Sequence, residues 1–459
     1  MVVGTKMNDL VMSNKVQKVR VRCFLAPLII LVLTGSILMS GCINQGSSFG
    51  SPGLTILVDD PKQLDTVKEL ARNYQNQTGT PVTINQVPVD WSAKSEKSLM
   101  GDILIADSRK ISEFAAYLQL IPLNDHLNTS KQVNWTVFER PSLVMAGEYP
   151  EHSGTIYALP FSLDAQGIAF RADLFYNPQE SAAFCATYGY PLGVPGTYDE
   201  LLNLTDFFTR SENGMDGIGF AGLNGSDSIS SPWMSIISSY NSGLLDRSSG
   251  LASGFWNRSS TISGMMMVRN LSHQRISGSD NWNDNDVIDA LLNGKAAMVI
   301  TWFSKFPELQ DRANRQNISI GYMPLPGAET PTGFHRGILV RMDGIGIMNN
   351  GSSERAVAFL NWFFSPDVQF TYAQSGHQPA VVSVMDSYPY LSLNSFNRAF
   401  PESMRVGVSM RNDTSGAIRE ECERFIRTML SESDLSSNGV NVAMNESARS
   451  IDRIILQKK

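Results

Sequence analysis

Five patterns in the 459-residue chain could each carry chemistry, and each needs its own structural setting. Gly46-Ser47-Ser48-Phe49-Gly50 has the spacing of a nucleophile elbow, which presents a serine hydroxyl on a sharp strand-to-helix turn. Linker composition surrounds it, with no strand pattern before it and no helix pattern after, so hydrolysis is not expected there. Gly217-Ile-Gly-Phe-Ala-Gly222 has the glycine spacing of a dinucleotide site. Such a site needs a helix N-terminus for the pyrophosphate, and the Leu-Asn-Gly-Ser-Asp that follows is loop chemistry. Gly294-Lys295 lacks the Walker spacing and its Ser/Thr. Asp280-Asn-Trp-Asn-Asp-Asn-Asp286 lacks the glycine and closing glutamate of a calcium loop, and reads as a solvated loop capping the next helix. His126, His152, His273, His335 and His377 show no metal-ligand spacing. No nucleophile–base set emerges, so no catalytic residue, cofactor or metal is expected.

The polar residues that remain sit where strands end. Leu54-Thr-Ile-Leu-Val58 reads as a buried strand, Asp59 and Asp60 as caps, and Leu64 to Tyr74 as a helix stopped by Gly79. Val82, Ile84 and Val87 alternate as a second strand, and Asp102 to Ala106 forms a third before a helix around Phe114. Strands alternating with helices imply a parallel sheet, and ligands bind beyond the carboxyl ends of such strands. Asp59, Asp60, Asp107, Ser108 and Arg109 fall there. Tyr157 to Phe170 reads as a strand interrupted at Pro160 and Gly167, Thr197 and Glu200 as a capping box, and Ala296 to Thr301 as a buried strand.

Composition narrows the class. With 42% apolar and 18% charged residues the chain supports a large core, and its length suits two domains. The net charge is −7, and the first 41 residues hold five of the 37 basic side chains but only one acidic one. The body is therefore more acidic still, which disfavours nucleic acid and anionic lipid. Lys15, Lys18, Arg20 and Arg22 precede an uncharged apolar run from Phe24 to Met39, the arrangement of a signal peptide. Met39-Ser-Gly-Cys42 resembles a lipobox, so Cys42 is the expected lipidation site, with an uncleaved signal anchor as the alternative; either way the body is expected outside the cytoplasmic membrane. Eleven Asn-x-Ser/Thr sequons, against about five expected by chance, fit either a glycosylated surface protein or an Asn/Ser-rich composition. Cys185 and Cys422 remain in the body, as buried free thiols or as a disulfide.

Several segments, in order, resemble extracellular solute-binding protein family 1, which includes the maltose-binding proteins. They are Tyr157-Ala-Leu-Pro-Phe-Ser-Leu-Asp-Ala-Gln-Gly167 with Arg171 to Phe175, Pro195 to Leu201, Leu292 to Ile300, Met323 to Gly327, Asp343 to Ile347, Ser365 to Gln369 and Gly376 to Ala380. The family's proline-rich, often aromatic tract is replaced by Met404-Arg-Val-Gly-Val-Ser-Met-Arg411, which removes one usual ligand contact.

The resemblance implies an α/β, two-lobed periplasmic-binding-protein-like fold of the Venus flytrap kind, type II, whose lobes close on a solute. The expected division is 1–41 signal peptide, 42–53 linker, 54–162 plus 301–337 first lobe, and 163–300 plus 338–459 second lobe. Crossings are expected near Ser162–Ala165, Met298–Ile300 and Gly337–Gly344. By the same resemblance Trp233, Trp302 and Phe303 are cleft aromatics for stacking on sugar, with Asp164 and Gln166 as polar groups at the first crossing; Gln378, Arg336 and Arg341 are further candidates. The expected protein is a monomeric, lipid-anchored, non-enzymatic component of an ABC importer. It would pass a solute, a carbohydrate first, to permease subunits. A polyamine, metal or other polar solute is the alternative, and a surface hydrolase or a sensing receptor domain are rivals from other classes.

Overall fold

The computed structural model describes residues 53–457, apart from 89–90, 94–98, 225–230, 247, 410–415 and 432–435. The apolar leader, Cys42 and the Gly46–Gly50 pattern lie outside the described residues. No described helix is long and apolar enough to cross a membrane.

The strands are β1 (Leu54–Val58), β2 (Val82–Gln86), β3 (Ile103–Asp107), β4 (Ala158–Arg171), β5 (Asp216–Phe220), β6 (Ala296–Trp302), β7 (Ile320–Pro324), β8 (Ala328–Thr330), β9 (Gly333–His335), β10 (Ile338–Ile347) and β11 (Gly407–Val408). Except for the β8–β9 hairpin they form one nine-stranded sheet, in the order β2-β1-β3-β10-β4-β6-β5, with β7 on β4 and β11 on β10. The pairs β1–β2, β1–β3 and β5–β6 are parallel, as strand–helix alternation predicts. Around them the sheet is mixed rather than parallel throughout. β10 runs antiparallel to both β3 and β4, and β4 antiparallel to both β6 and β7.

β4 joins two halves of this sheet. Its first residues, Ala158 to Ala165, pair with β10, while Gln166 to Arg171 pair with β6 on one side and β7 on the other. It runs unbroken for 14 residues, so Pro160 and Gly167 do not interrupt it. The register shifts instead: Asp343 faces Ser162, whereas Gly344 faces Pro160. A bulge at the proline absorbs its missing N–H without ending the strand. Gly167 is explained by packing, since a Cβ there would lie 2.7 Å from the Phe303 ring.

Contacts also divide the C-terminal half of the chain differently from the expected lobes. β7, expected in the first lobe, bonds to the later half of β4. The helix Ser353–Phe363 returns to the first half, where Phe359 and Trp362 meet Tyr74 edge-on at 5.0 and 5.1 Å. Tyr74 lies on the helix Leu64–Thr78, whose buried Val67, Leu70, Ala71 and Tyr74 recur at helical spacing before Gly79 ends it at φ 73°. The helices Gly416–Ser431 and Ser437–Leu456 pack on the other side, through Phe425 against Trp256 and the Trp256 indole N–H donating to Ser447. Sequence periodicity finds such helices but carries no information about which sheet half each one covers.

The local punctuation is as the sequence predicts. Thr197 and Glu200 form a reciprocal capping box on the helix Tyr198–Phe208, and Asn283 with Asp286 does the same for Asp284–Leu292. The acidic run is therefore a helix start. Gly217 and Gly222 are places of close approach: an added Cβ would lie 1.9 Å from the Thr205 carbonyl oxygen and 2.0 Å from that of Asp280, respectively. They serve packing, not phosphate. Both body cysteines are free; Cys422 is buried as expected, but Cys185 is exposed on the helix Pro178–Tyr188, where it points to solvent rather than core.

Candidate functional site

The ends of β3 and the middles of β4 and β10 meet at the floor of a cleft of about 710 Å³. Strand pairing fixes its polar row. Asp343 of β10 lies between Asp107 of β3 and Ser162 of β4, while Arg341, two residues earlier, faces Asp164. Alternation along β10 therefore presents Arg341 and Asp343 together. Asp60, Lys62, Gln63 and Thr66 form one wall, and Ser304, Lys305, Pro307 and Glu308 belong to another. Tyr372, His377 and Gln378 also line it.

Arg341 is held on three sides. Its Nε and Nη2 donate to Asp164 Oδ2 at 3.0 and 2.9 Å, Nη2 also reaches Ser304 Oγ at 3.2 Å, and the guanidinium lies 4.2 Å above the Trp302 ring. Asp164, only 4% exposed, takes further hydrogen bonds from the backbone N–H groups of Ala165 and Ser304, both at 3.0 Å. Lys305 extends to Asn285 at 3.4 Å.

The other end of the floor is carboxylate-rich. Asp107 caps the helix Ser108–Ala116, accepting from the N–H groups of Arg109 and Lys110, and pairs with Arg109 Nη2 at 2.9 Å. Burial acts to raise its pKa, but the Arg109 hydrogen bond and charge with the two backbone donors bring it below the usual range. Asp60 accepts from the Lys62 N–H at 2.9 Å, as a cap for the turn Pro61–Gln63. Burial, then Asp107, raises the Asp59 carboxyl. Asp343 accepts from Gln63 Nε2 at 2.8 Å, and burial, reinforced by Asp107 and Asp60, pushes it up to about 7. His377, stacked on Tyr372 at 4.3 Å and 3.4 Å from Thr66 Oγ1, is pushed down by burial.

Of the residues expected at the site, Asp60, Asp107, Ser108, Arg109, Asp164 and Gln378 line the cleft, as does Arg341. Asp59 stands beside Asp60 without lining it. Trp233, Trp302, Phe303 and Gln166 do not line it. Trp233, 2% exposed, starts the helix Trp233–Ser239, which is buried on nearly every side, and packs edge-on against Trp256. Ser235 of that helix donates to Gln166 Oε1 at 2.6 Å and accepts from the Leu339 N–H at 2.7 Å. Gln166 is thus a buried staple between β4 and this helix. Trp302 is wholly covered and carries Arg341 where a sugar ring was expected. Phe303 fills the space above Gly167 and packs on Phe306 and Phe400. Arg336 turns away, donating to the Leu325 carbonyl at 2.7 Å and pairing with Glu402. Sequence reasoning missed Gln63, Ser162, Ser304 and Asp343. The signal for Asp343 was present: polar Arg341 and Asp343 alternate with apolar Val340 and Met342 inside an expected crossing.

A family model described as bacterial extracellular solute-binding protein matches residues 60–370. The chain therefore belongs to that family. Among solved structures it is similar to MalE from the phytopathogen Xanthomonas citri, at 18% identity and TM-score 0.72, covering 89% of this chain and 98% of that one. Maltose-bound T. maritima MalE3 matches at 18% identity and TM-score 0.64, covering 88% and 99%. UgpB from Mycobacterium tuberculosis, in complex with glycerophosphocholine, matches at 18% identity and TM-score 0.61, covering 89% and 99%. No curated protein matches by sequence. The fold is the two-lobed α/β architecture of periplasmic sugar-binding proteins.

Proposed function

We propose that the protein captures a small polyhydroxylated solute, a carbohydrate, in the cleft between its sheet halves and hands it to an ABC permease without altering it. The cleft on the crossing strands carries this reading. Its volume falls within the roughly 300–1,000 Å³ usual for small-molecule sites, and its lining alternates planar polar groups with short apolar stretches. Family membership and structural relatives that bind maltose and acarbose support the solute class. Recognition differs from the stacking first expected. Tyr372 and His377 are the aromatic side chains that line the cleft among the described residues, so hydroxyl hydrogen bonds carry most of the selectivity.

The lobes are best assigned by strand pairing: β1, β2, β3 and the helix Ser353–Phe363 on one side, and β5, β6, β7 and the last two helices on the other. β4 and β10 connect them and supply the floor, so a solute touching both sides gains contacts that an open form lacks and shifts the population toward closure. The body is anchored outside the cytoplasmic membrane by lipid on Cys42. Its basic stretch before an uncharged apolar run and the Ser-Gly-Cys cleavage pattern support this.

A thermal-shift screen against sugars and polyols tests the reading. A solute at 100 times its Kd stabilises the bound state by about 2.7 kcal/mol. Absence of any carbohydrate hit, with turnover of a glycoside or ester instead, refutes it. Cys42→Ala should release the body from membranes or leave a precursor; unchanged processing removes the anchor.

A further inference from the structure

The charges lining the cleft are not balanced group by group. Arg341 is matched by Asp164, and Arg109 by Asp107. Asp343 and Asp60 form no ion pair among the described residues, and neither does Asp59 beside them. The hydrogen bonds they receive come from the Gln63 amide and the Lys62 backbone. Charged and titratable groups around Asp343 come from each neighbouring element: Asp59 and Asp60 after β1, Lys62 in the turn that follows, Asp107 at the end of β3, Arg109 and Lys110 on the next helix, Arg341 on its own strand, and Tyr372 with the stacked His377. The two cations on that helix lean toward Asp107, Glu113 and the Trp91 carbonyl, and Lys62, on the same wall as Asp60, forms no ion pair with either carboxylate, so among the described residues Asp343 and Asp60 have no fixed cation partner.

A second observation concerns a different part of the same cleft. Gln378, 4% exposed, lines it; its Oε1 accepts from the Tyr390 hydroxyl, and its Nε2 has no hydrogen-bond partner. A buried amide donor without an acceptor is costly, and a ligand oxygen removes that cost. Among the described residues no three His, Cys, Asp or Glu side chains are grouped to hold a metal ion, which favours a bulkier cation that hydrogen-bonds outward to separate carboxylates.

We propose that the solute is an amine-bearing polyol or sugar, its ammonium held between Asp343 and Asp60 at the floor and one of its oxygens taken by Gln378 Nε2. This rests on the carbohydrate reading above and narrows it. An ammonium supplies three donors to carboxylates that lack cations, and excludes neutral analogues because those leave the carboxylates unpaired.

The test is isothermal titration with matched probes differing only at nitrogen: 1-amino-1-deoxysorbitol against sorbitol, and glucosamine against glucose, with spermidine as an amine without hydroxyls. In at least one pair the amine should bind roughly ten- to hundredfold tighter, as expected for a charge-assisted hydrogen bond in a partly dry site. Asp343→Asn should remove most of that advantage and Asp60→Asn part of it, so the result does not depend on one variant folding. Between pH 6 and 8 the affinity for the aminosorbitol should rise, because the proton on Asp343 competes with the ammonium. A hydroxyl oxygen that needs a protonated Asp343 as donor gives the opposite slope. Equal or tighter binding of the neutral partner in both pairs overturns the proposal and leaves the carbohydrate reading intact. So does a failure of every amine to bind, or an amine preference that survives both substitutions. Binding of spermidine alone, lost in Asp343→Asn, keeps the ammonium site and removes the carbohydrate.

Discussion

Removing the Arg341 side chain tests whether the two crossing strands are clamped by one ion pair. In Arg341→Ala, Asp164 loses the two guanidinium hydrogen bonds at 3.0 and 2.9 Å and is left with the backbone N–H groups of Ala165 and Ser304. A fully buried carboxylate that loses its cation costs about 3–5 kcal/mol. The Arg341 side chain is 41% exposed, so water replaces part of what is lost and about 2 kcal/mol is the better figure. Stacking on Trp302 at 4.2 Å adds about 0.5–1 kcal/mol. The expected loss is about 2–3 kcal/mol in guanidinium denaturation. Arg341→Lys should recover less than half, since an ammonium matches neither the paired geometry nor the flat indole face. Asp164→Asn and the double variant complete a cycle, for which a coupling of about 1–2 kcal/mol is expected. Additivity within about 0.5 kcal/mol would show that the strands are held by their backbone ladder and that the clamp is incidental.

Three further outcomes follow from burial and charge. Trp233→Ala should lower stability by about 3–5 kcal/mol through cavity formation, with ligand affinity unchanged once the variant is folded; a fall in affinity at unchanged stability, measured by calorimetry and denaturation on the same sample, would return Trp233 to the cleft. Asp343 has a folded pKa of about 7 against an ordinary 3.8, so the native state binds its proton more tightly. Its contribution is full below about pH 4 and is lost as pH rises to 7. Asp343→Asn should therefore match the parent near pH 4 and exceed it by up to about 4 kcal/mol at pH 8, and equal stability of the two at pH 8 refutes the assignment. A thiol reagent should modify Cys185 in the native protein and Cys422 only after unfolding, because burial also keeps the Cys422 thiol protonated; one disulfide and no reactive thiol in the purified body contradicts this.

What was legible in the sequence was what short-range physics determines. The apolar runs of β1, β3 and β6 and the caps at Thr197 and Asn283 are local signals, and the structure places each where its composition requires. Asp107, Ser108 and Arg109 could be found because the end of a parallel strand is a position that sequence specifies. The aromatics could not. A tryptophan after a proline looks the same whether the helix it opens faces a ligand or is surrounded, and Trp233 opens a helix enclosed by the helix Ser259–His273 and β10. Trp302 illustrates the point more sharply. It sits at the end of the expected strand, beside the cleft, yet Arg341 from a strand nearly forty positions later covers its face. That covering follows from the register of β10 on β4, where Arg341 faces Asp164. The cleft floor is therefore set by pairings distant in sequence, and single aromatics could not reveal a floor on which three strands bring Asp107, Asp164 and Asp343 together.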